Sequence, residues 1–373
     1  MIVLFNGEGT YGSVGAMVPG LADGFAALGL DPVIIDLTNP GPERRFHEIA
    51  EGAAADAIIC VSGFGLPDRP DSPAIEVFNR SGASVVGVFL DHPFCLRDRI
   101  DLPLDGYQAS FPAGHAANFV GQFIRDDLAC HHLPHGAVRR ADLPWAERDL
   151  PLVLVASLFL PPEAQRRAWR DYGRDVETRL NEIADIAGRD LARPLEAAVL
   201  DVIGDDAGFE DLFPYMKTVD DYLRNWQRVA CVEALAAFPL TVVGQGWETY
   251  AEKFPGVRFA GEQPISEAMA AIDRAKAVLN PFPGYNGSHE RVVNAMAGGA
   301  AALTSRSDYY ADAFGASEII YLDDADPAAG VAALLADDAR LEAVASNGRA
   351  RMLVEHTWER RAERIADFAG LGA

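Results

Sequence analysis

The chain has 373 residues, enough at roughly 150 per domain for two full hydrophobic cores. Hydrophobic residues make up 49% and charged residues 23%, which excludes intrinsic disorder, collagen and coiled coil. Acidic residues number 55 against 32 basic ones, a formal charge of −23. Broad binding to nucleic acid or anionic lipid is therefore not expected, while a small basic pocket for one phosphate group stays open.

The first expected strand is residues 2–5 (IVLF), which run into a glycine loop and a helical stretch ending at Leu28. Strands follow at 32–37 (PVIIDL), 57–62 (AIICVS) and 84–90 (SVVGVFL), with weaker candidates at 107–111 and 132–133. Continuous Val/Ile-rich runs separated by helices predict parallel strands covered on both faces. Residues 136–151 carry mixed charge, Pro144, Pro151 and little periodicity, and read as a linker. Beyond it lie a strand at 152–157 (LVLVAS) and a polar, mostly helical stretch over 162–237. Short strands return at 240–244, 257–259, 277–280, 300–304 and 319–322, and the tail over 339–369 is helical. Two strand–helix alternations predict an α/β chain of two doubly wound, Rossmann-like domains. The expected division is 1–145, then 146–355 with a helical insert at 162–237, then a closing helix at 356–373 packing back on the first domain. Ligands of such folds bind at the carboxyl ends of strands, so the expected site is a central cleft.

The N-terminus has no basic region before its apolar run, and no apolar run approaches the ~18 residues of a membrane span. Cys60, Cys95, Cys130 and Cys231 form no C-x-x-C pair, so neither a disulfide framework nor a zinc site is expected. A reducing cytoplasm is the expected compartment.

Four constellations could carry chemistry. Gly7-Glu8-Gly9-Thr10-Tyr11-Gly12 is a G-x-G-x-x-G between strand and helix, and Asp36 ends the next strand. This fits a dinucleotide loop, with the acid on a ribose hydroxyl, and also a tight strand-to-helix turn beside a substrate cleft. Pro19 and Gly20 fall inside the helix that would support the phosphate and should distort it. On the substrate reading, Gly9, Thr10, Tyr11 and Gly12 are an acceptor-side loop. Asp91-His92-Pro93 ends the fourth strand, where an acid and an imidazole would serve proton transfer or hold a sugar hydroxyl; capping and packing is the alternative. His115 is the next candidate for that role. His131, His132 and His135 invite a metal, but no Cys, Asp or Glu partner sits at ligand spacing, so none is expected.

The fourth set is the richest. Asn280 ends a strand, residues 281–287 form a flexible loop, and a helix starts near Ser288 and stops at Gly298-Gly299. A helix N-terminus behind a Gly-rich loop favours phosphate through free amides and the macrodipole. Arg291, in the first turn and facing the ligand, adds a charge-assisted bond, and Asn294 lies on the same helical face. An ordinary capped helix with exposed charges is the alternative.

These residues carry a family resemblance. Val243-Gly244-Gln245-Gly246, residues 257–261 and 277–281, His289 to Gly299, and His356-Thr357-Trp358-Glu359-Arg360-Arg361 together resemble the donor half of GT-B glycosyltransferases. The likeness is to the family-4-like group and its CgeB-like branch. In the N-terminal half it extends only to strand order, the glycine loop and the Pro134-His135-Gly136 junction. The resemblance implies a nucleotide-sugar donor on the C-terminal domain, an acceptor on the N-terminal one, and catalysis without a cofactor or bound metal. The donor-binding set it implies is Gly244, Gly246, Asn280, Ser288, His289, Glu290, Arg291 and Asn294. The family's two glutamates, eight residues apart, fall at Asn286 and Asn294, with Glu290 a substitute one turn earlier. Its Arg and Lys after the first C-domain strand are replaced by Ser157-Leu158-Phe159-Leu160-Pro161.

The expected activity is sugar transfer to a glycan, lipid-linked, protein or small-molecule hydroxyl, with retention at the anomeric carbon and a homodimer among the expected assemblies. A non-catalytic sugar-nucleotide or glycan binding protein and an NAD(P)-dependent oxidoreductase are the competing readings.

Overall fold

A computed structural model describes residues 1–7, 13–52, 54–204, 208–322 and 326–371. Met1–Arg139 together with Leu353–Ala373 forms one compact unit, and Arg140–Met352 forms the other. The first unit runs β1 (Ile2–Asn6), α1 (Ser13–Ala27), β2 (Pro32–Asp36), α2 (Pro42–Glu51), β3 (Ala57–Val61), α3 (Ala74–Ser81), β4 (Ser84–Val88), α4 (Arg97–Ile100), β5 (Tyr107–Phe111), α5 (Ala116–Phe123) and β6 (Ala129–His132). The second begins with β7 (Leu150–Val155), α6 (Pro162–Ala168), α7 (Arg174–Ala187), α8 (Leu195–Ile203), α9 (Phe209–Leu212) and α10 (Met216–Leu235). It continues through β8 (Leu240–Val243), α11 (Glu248–Ala251), β9 (Arg258–Phe259), α12 (Ile265–Arg274), β10 (Ala275–Asn280) and α13 (Glu290–Ala297). It closes with β11 (Ala301–Thr304), α14 (Asp308–Ala313), β12 (Ile320–Tyr321), α15 (Pro327–Leu335) and α16 (Asp338–Glu355). Finally α17 (Trp358–Phe368) belongs to the first unit.

Each unit is built on one six-stranded sheet, in the orders β2-β1-β3-β4-β5-β6 and β12-β11-β10-β7-β8-β9. The strand pairs are parallel in both. Central strands such as β3 (AIICV), β8 (LTVV) and β11 (AALT) are buried at every residue. Helices on both faces remove the polar alternation of a one-sided sheet, which is why these segments read as unbroken apolar runs.

Pro19 and Gly20, expected to distort α1, stand inside a continuous helix of 15 residues. The glycines there answer to packing. A Cβ on Gly20 would lie 3.0 Å from the Trp358 Cβ, and one on Gly24 would lie 2.6 Å from the Ala362 Cβ. Two small residues one turn apart therefore let α17 rest on the α1 backbone, burying Trp358, Ala362 and Ile365 in one core with Ile2, Leu4 and Val18. The segment from Pro134 to Gly136 receives the same helix. Buried Arg361 donates to the Pro134 carbonyl at 2.7 Å and the His135 carbonyl at 3.1 Å, and Ala137 pairs with Thr357. Two sequence motifs quoted separately thus form one clasp.

The stretch read as a linker is tightly bound. Arg148 is buried, and its guanidinium donates to the carbonyls of Asp273 (2.7 Å), Ala275 (3.0 Å), Leu143 (3.1 Å) and Gly298 (2.7 Å). One planar fork thus satisfies carbonyls at the ends of α12 and α13, which a helix leaves without intrahelical donors. Among the described residues no helix is long and apolar enough to cross a membrane.

Candidate functional site

At the carboxyl ends of β7 and β10 the second unit collects its polar groups. Asn280, the last residue of β10, is 1% exposed. Its amide donates to the Phe282 carbonyl and Thr304 Oγ1, both at 3.0 Å. Its Oδ1 accepts from Arg291 Nη1 at 2.6 Å, while Arg291 Nε donates to the Val155 carbonyl at the end of β7, also at 2.6 Å. Arg291 thus ties two neighbouring strand ends together. The sequence placed it on an accessible first turn; it is instead 8% exposed. Burial pushes its pKa down to about 10, against the attraction of Glu290, so it stays charged at neutral pH.

The helix behind it begins at Glu290, and its cap is His289 rather than Ser288. His289 has the extended backbone that a cap needs, and its Nδ1 accepts from the Arg291 amide at 3.2 Å. A neutral ring used this way carries its proton on Nε2. Ser288 is buried one residue earlier, and the His289 amide is spent on the Tyr310 hydroxyl at 2.6 Å.

Sequence reasoning missed two further residues. Arg224 and Arg228 sit one turn apart on α10, inside the stretch read as an insert. Arg228 donates to the Ser157 carbonyl at 2.8 Å, the place after β7 where the resemblance leads one to look for basic side chains and finds none. Arg224 bonds Asp220 at 2.7 Å and lies over the Phe282 ring at 4.9 Å. Burial first, then Arg291 and Arg224, pushes the pKa of Arg228 down to about 9. That mutual influence brings three guanidinium groups into one electrostatic neighbourhood. The signal in the sequence was an Arg-x-x-x-Arg on a helix of an acidic protein, which reads equally well as a solvated face.

The loop between β10 and α13 is pinned, contrary to the flexible loop expected. Gly284, Tyr285 and Asn286 are all left-handed, with φ of 59°, 52° and 61°. Each such non-glycine residue costs roughly 1–2 kcal/mol, so surrounding bonds must hold it. Tyr285 is buried and its hydroxyl donates to Asp220 at 2.6 Å. Asn286 Oδ1 accepts from the Asp308 amide at 3.2 Å, and the Gly287 amide donates to the Gly284 carbonyl at 3.0 Å.

The remaining expected donor residues sit as follows. A Cβ on Gly244 would lie 2.2 Å from the Ala156 carbonyl oxygen, and one on Gly246 would lie 1.6 Å from that of Leu158. Both glycines therefore let the β8 loop press against the segment after β7. Asn294 is buried, like every residue of α13 after the first, and Glu290 is half-buried at its start. Glu196, on α8, was not singled out; burial pushes its pKa up to about 7.

In the first unit, His92 and Asp91 follow β4 as expected but face apart in exposure: Asp91 is exposed and His92 buried. His92 caps a short turn, its Nδ1 accepting from the Phe94 amide at 3.5 Å, and its Nε2 lies 3.2 Å from Nε2 of His115. The ring packs edge-on to Phe119. Burial, then the nearby His132, pushes the pKa of His115 down to about 4, so that ring is neutral at pH 7. The other histidines have separate partners. His131 pairs with Gln108 at 2.8 Å and stacks on Phe368, and His132 bonds the Pro112 carbonyl at 3.3 Å. Gly9, Thr10, Tyr11 and Gly12 lie outside the described residues. Gly7 is described, and a Cβ there would strike the Phe64 ring at 2.5 Å.

Comparison with known proteins adds three findings. Residues 224–367 match a family model described as glycosyl transferase-like. No curated protein matches the chain in sequence. Solved structures share the fold: sucrose-phosphate synthase from Thermosynechococcus elongatus superposes with a TM-score of 0.53 at 13% identity, covering 99% of this chain and 98% of that one. The Anabaena protein HepE, solved with UDP-glucose, gives 0.51 at 12% identity over 99% of both chains. AviGT4, a glycosyltransferase of avilamycin A biosynthesis, gives 0.52 at 13% identity, covering 100% of this chain and 98% of that one. Two parallel six-stranded sheets with flanking helices are the GT-B architecture.

Proposed function

We propose that this chain, an enzyme carrying a glycosyltransferase domain in a GT-B fold, moves a sugar from a nucleoside-diphosphate donor to an acceptor hydroxyl. The observation that carries the donor class is charge. Arg224, Arg228 and Arg291 gather around the ends of β7 and β10, with Arg224 paired to Asp220. Buried and half-buried cations that depress one another favour a bound anion, because desolvation and like charge both weigh against them. A diphosphate supplies matching charge in the planar geometry that guanidinium groups hold well. In the reaction the anomeric carbon exchanges its bond to the diphosphate for one to the acceptor oxygen. The diphosphate leaves with the electron pair, and the acceptor loses its proton. Guanidinium charge already in place at the leaving group lowers that barrier without reorganisation, which supports metal-independent transfer. Retention at the anomeric carbon is proposed on the resemblance alone, and Asp91 and His92 are proposed as acceptor-side groups.

The test is a thermal-shift and calorimetric screen of UDP, GDP, NAD and NADP, since a ligand of the native state raises its melting temperature. UDP comes first, because HepE is solved with UDP-glucose. Stabilisation by a nucleoside diphosphate is the expected result; stabilisation by NAD or NADP alone would overturn the reading. Asparagine at both 286 and 294 favours one competing reading, a binding protein without turnover. Release of UDP or GDP from the matching sugar nucleotide separates the two, and the anomer formed reports the stereochemistry.

A further inference from the structure

We propose that Asp220 and Tyr285 form a positioning pair, through which the helical insert sets the conformation of the loop between β10 and α13. The proposal rests on the donor-site reading for its functional meaning. Three observations carry it. The described chain has three non-glycine residues at positive φ, and two of them, Tyr285 and Asn286, are adjacent in this loop. Such a backbone persists only where its surroundings over-determine it. Among the bonds that do so, one crosses 65 positions of sequence: the Tyr285 hydroxyl donates to Asp220 Oδ1 at 2.6 Å, with Asp220 itself 2% exposed. The second oxygen of the same carboxylate takes Arg224 Nε at 2.7 Å. One carboxylate therefore links a guanidinium of the anion site to the loop that delivers His289 and Arg291. A loop held only for packing would need no charged partner; here the partner belongs to the site's own charge network. Neither residue needs to touch the substrate. Their effect is exerted through the loop, on the geometry of the sugar-bearing end rather than on nucleotide affinity.

Tyr285→Phe removes the hydroxyl and keeps the ring, so the core stays filled. Asp220→Asn keeps an oxygen that accepts from Tyr285 and serves as the conservative rescue; Asp220→Ala does not. In the full chain, hydrogen exchange of the 284–290 amides should speed up at least tenfold in Tyr285→Phe and Asp220→Ala, and stay near wild type in Asp220→Asn. UDP affinity should remain within about threefold in Tyr285→Phe, while kcat for release of UDP from UDP-glucose falls tenfold or more with KM little changed. Combining Tyr285→Phe with Asp220→Ala should add little to either alone. Unchanged exchange in Tyr285→Phe would overturn the pairing. Faster exchange with unchanged kcat in an enzyme that turns over would reduce the pair to packing. Failure of the wild type to bind UDP or GDP would instead count against the donor reading, and the exchange experiment would still decide the pairing.

Discussion

The two sheets are built alike and finished differently. Both are six parallel strands buried on both faces, and both gather polar side chains just beyond their carboxyl ends. In the second unit those groups are guanidiniums, whose lowered pKa values of about 9 and about 10 still leave them charged at neutral pH. In the first unit they are imidazoles, His92 beside His115, and burial keeps His115 neutral. One scaffold thus presents a cluster of guanidiniums at one set of strand ends and a pair of imidazoles at the other. On the proposed reading the first holds the diphosphate of the donor and the second faces the acceptor hydroxyl. The difference lies in the side chains brought to the carboxyl ends of the strands, which is where open α/β sheets place function.

Breaking the charged end should have the largest effect. Arg291→Ala should lower turnover a hundredfold or more, about 3 kcal/mol, as for loss of one preorganised donor. Because Arg291 is buried against Val155 and Asn280, the melting temperature should fall too, by the equivalent of about 1–3 kcal/mol for the acceptors it leaves unsatisfied. A variant with wild-type kinetics would remove the anion site from this strand end. Arg228→Ala separates the two effects. It is half-buried and sits among like charges, so UDP affinity should fall by about thirtyfold, roughly 2 kcal/mol, with a smaller loss of stability than in Arg291→Ala. Calorimetry on that variant decides whether the insert contributes to binding at all.

On the neutral side, His92→Ala should lower kcat by about tenfold while leaving UDP affinity unchanged. Should binding collapse with turnover, the division of labour between the units is wrong; should neither change, the turn after β4 is structural. The smallest effect concerns pH. A histidine whose folded pKa is about 4 against an ordinary 6.5 binds fewer protons folded than unfolded between those values. Its contribution is present above pH 6.5 and is lost as pH falls towards 4. From pH 7 to 5.5 the loss should be about 1 kcal/mol, and His115→Gln should show correspondingly less acid sensitivity in its thermal midpoint.

Much of the fold was legible because burial on both faces writes itself into the sequence as Val/Ile runs such as AIICV and LTVV. Asn280 and Arg291 were legible as a strand end and a helix start. What could not be read was the company they keep. Arg224 and Arg228 lie more than 60 residues from Arg291 in sequence, and an i, i+4 pair on a polar helix carries no mark of what it will face. The cap shifted from Ser288 to His289 because the imidazole, not the hydroxyl, stands where the Arg291 amide points. The linker failed as a linker because Arg148 looks like any solvated arginine until four carbonyls converge on it.

The clasp between Arg361 and the Pro134–His135 carbonyls has a consequence for how the chain comes together. The second unit is one uninterrupted stretch, Arg140–Met352, whereas the first is made of two pieces separated by all of the second. During synthesis from the N-terminus, the sheet of the first unit emerges long before Trp358, Ala362 and Ile365 arrive to cover α1. The later-made unit can therefore complete its core first, and the earlier one must wait with an apolar helix face open. A nick near residue 139 or near residue 353 would also leave the two units joined by the other crossing.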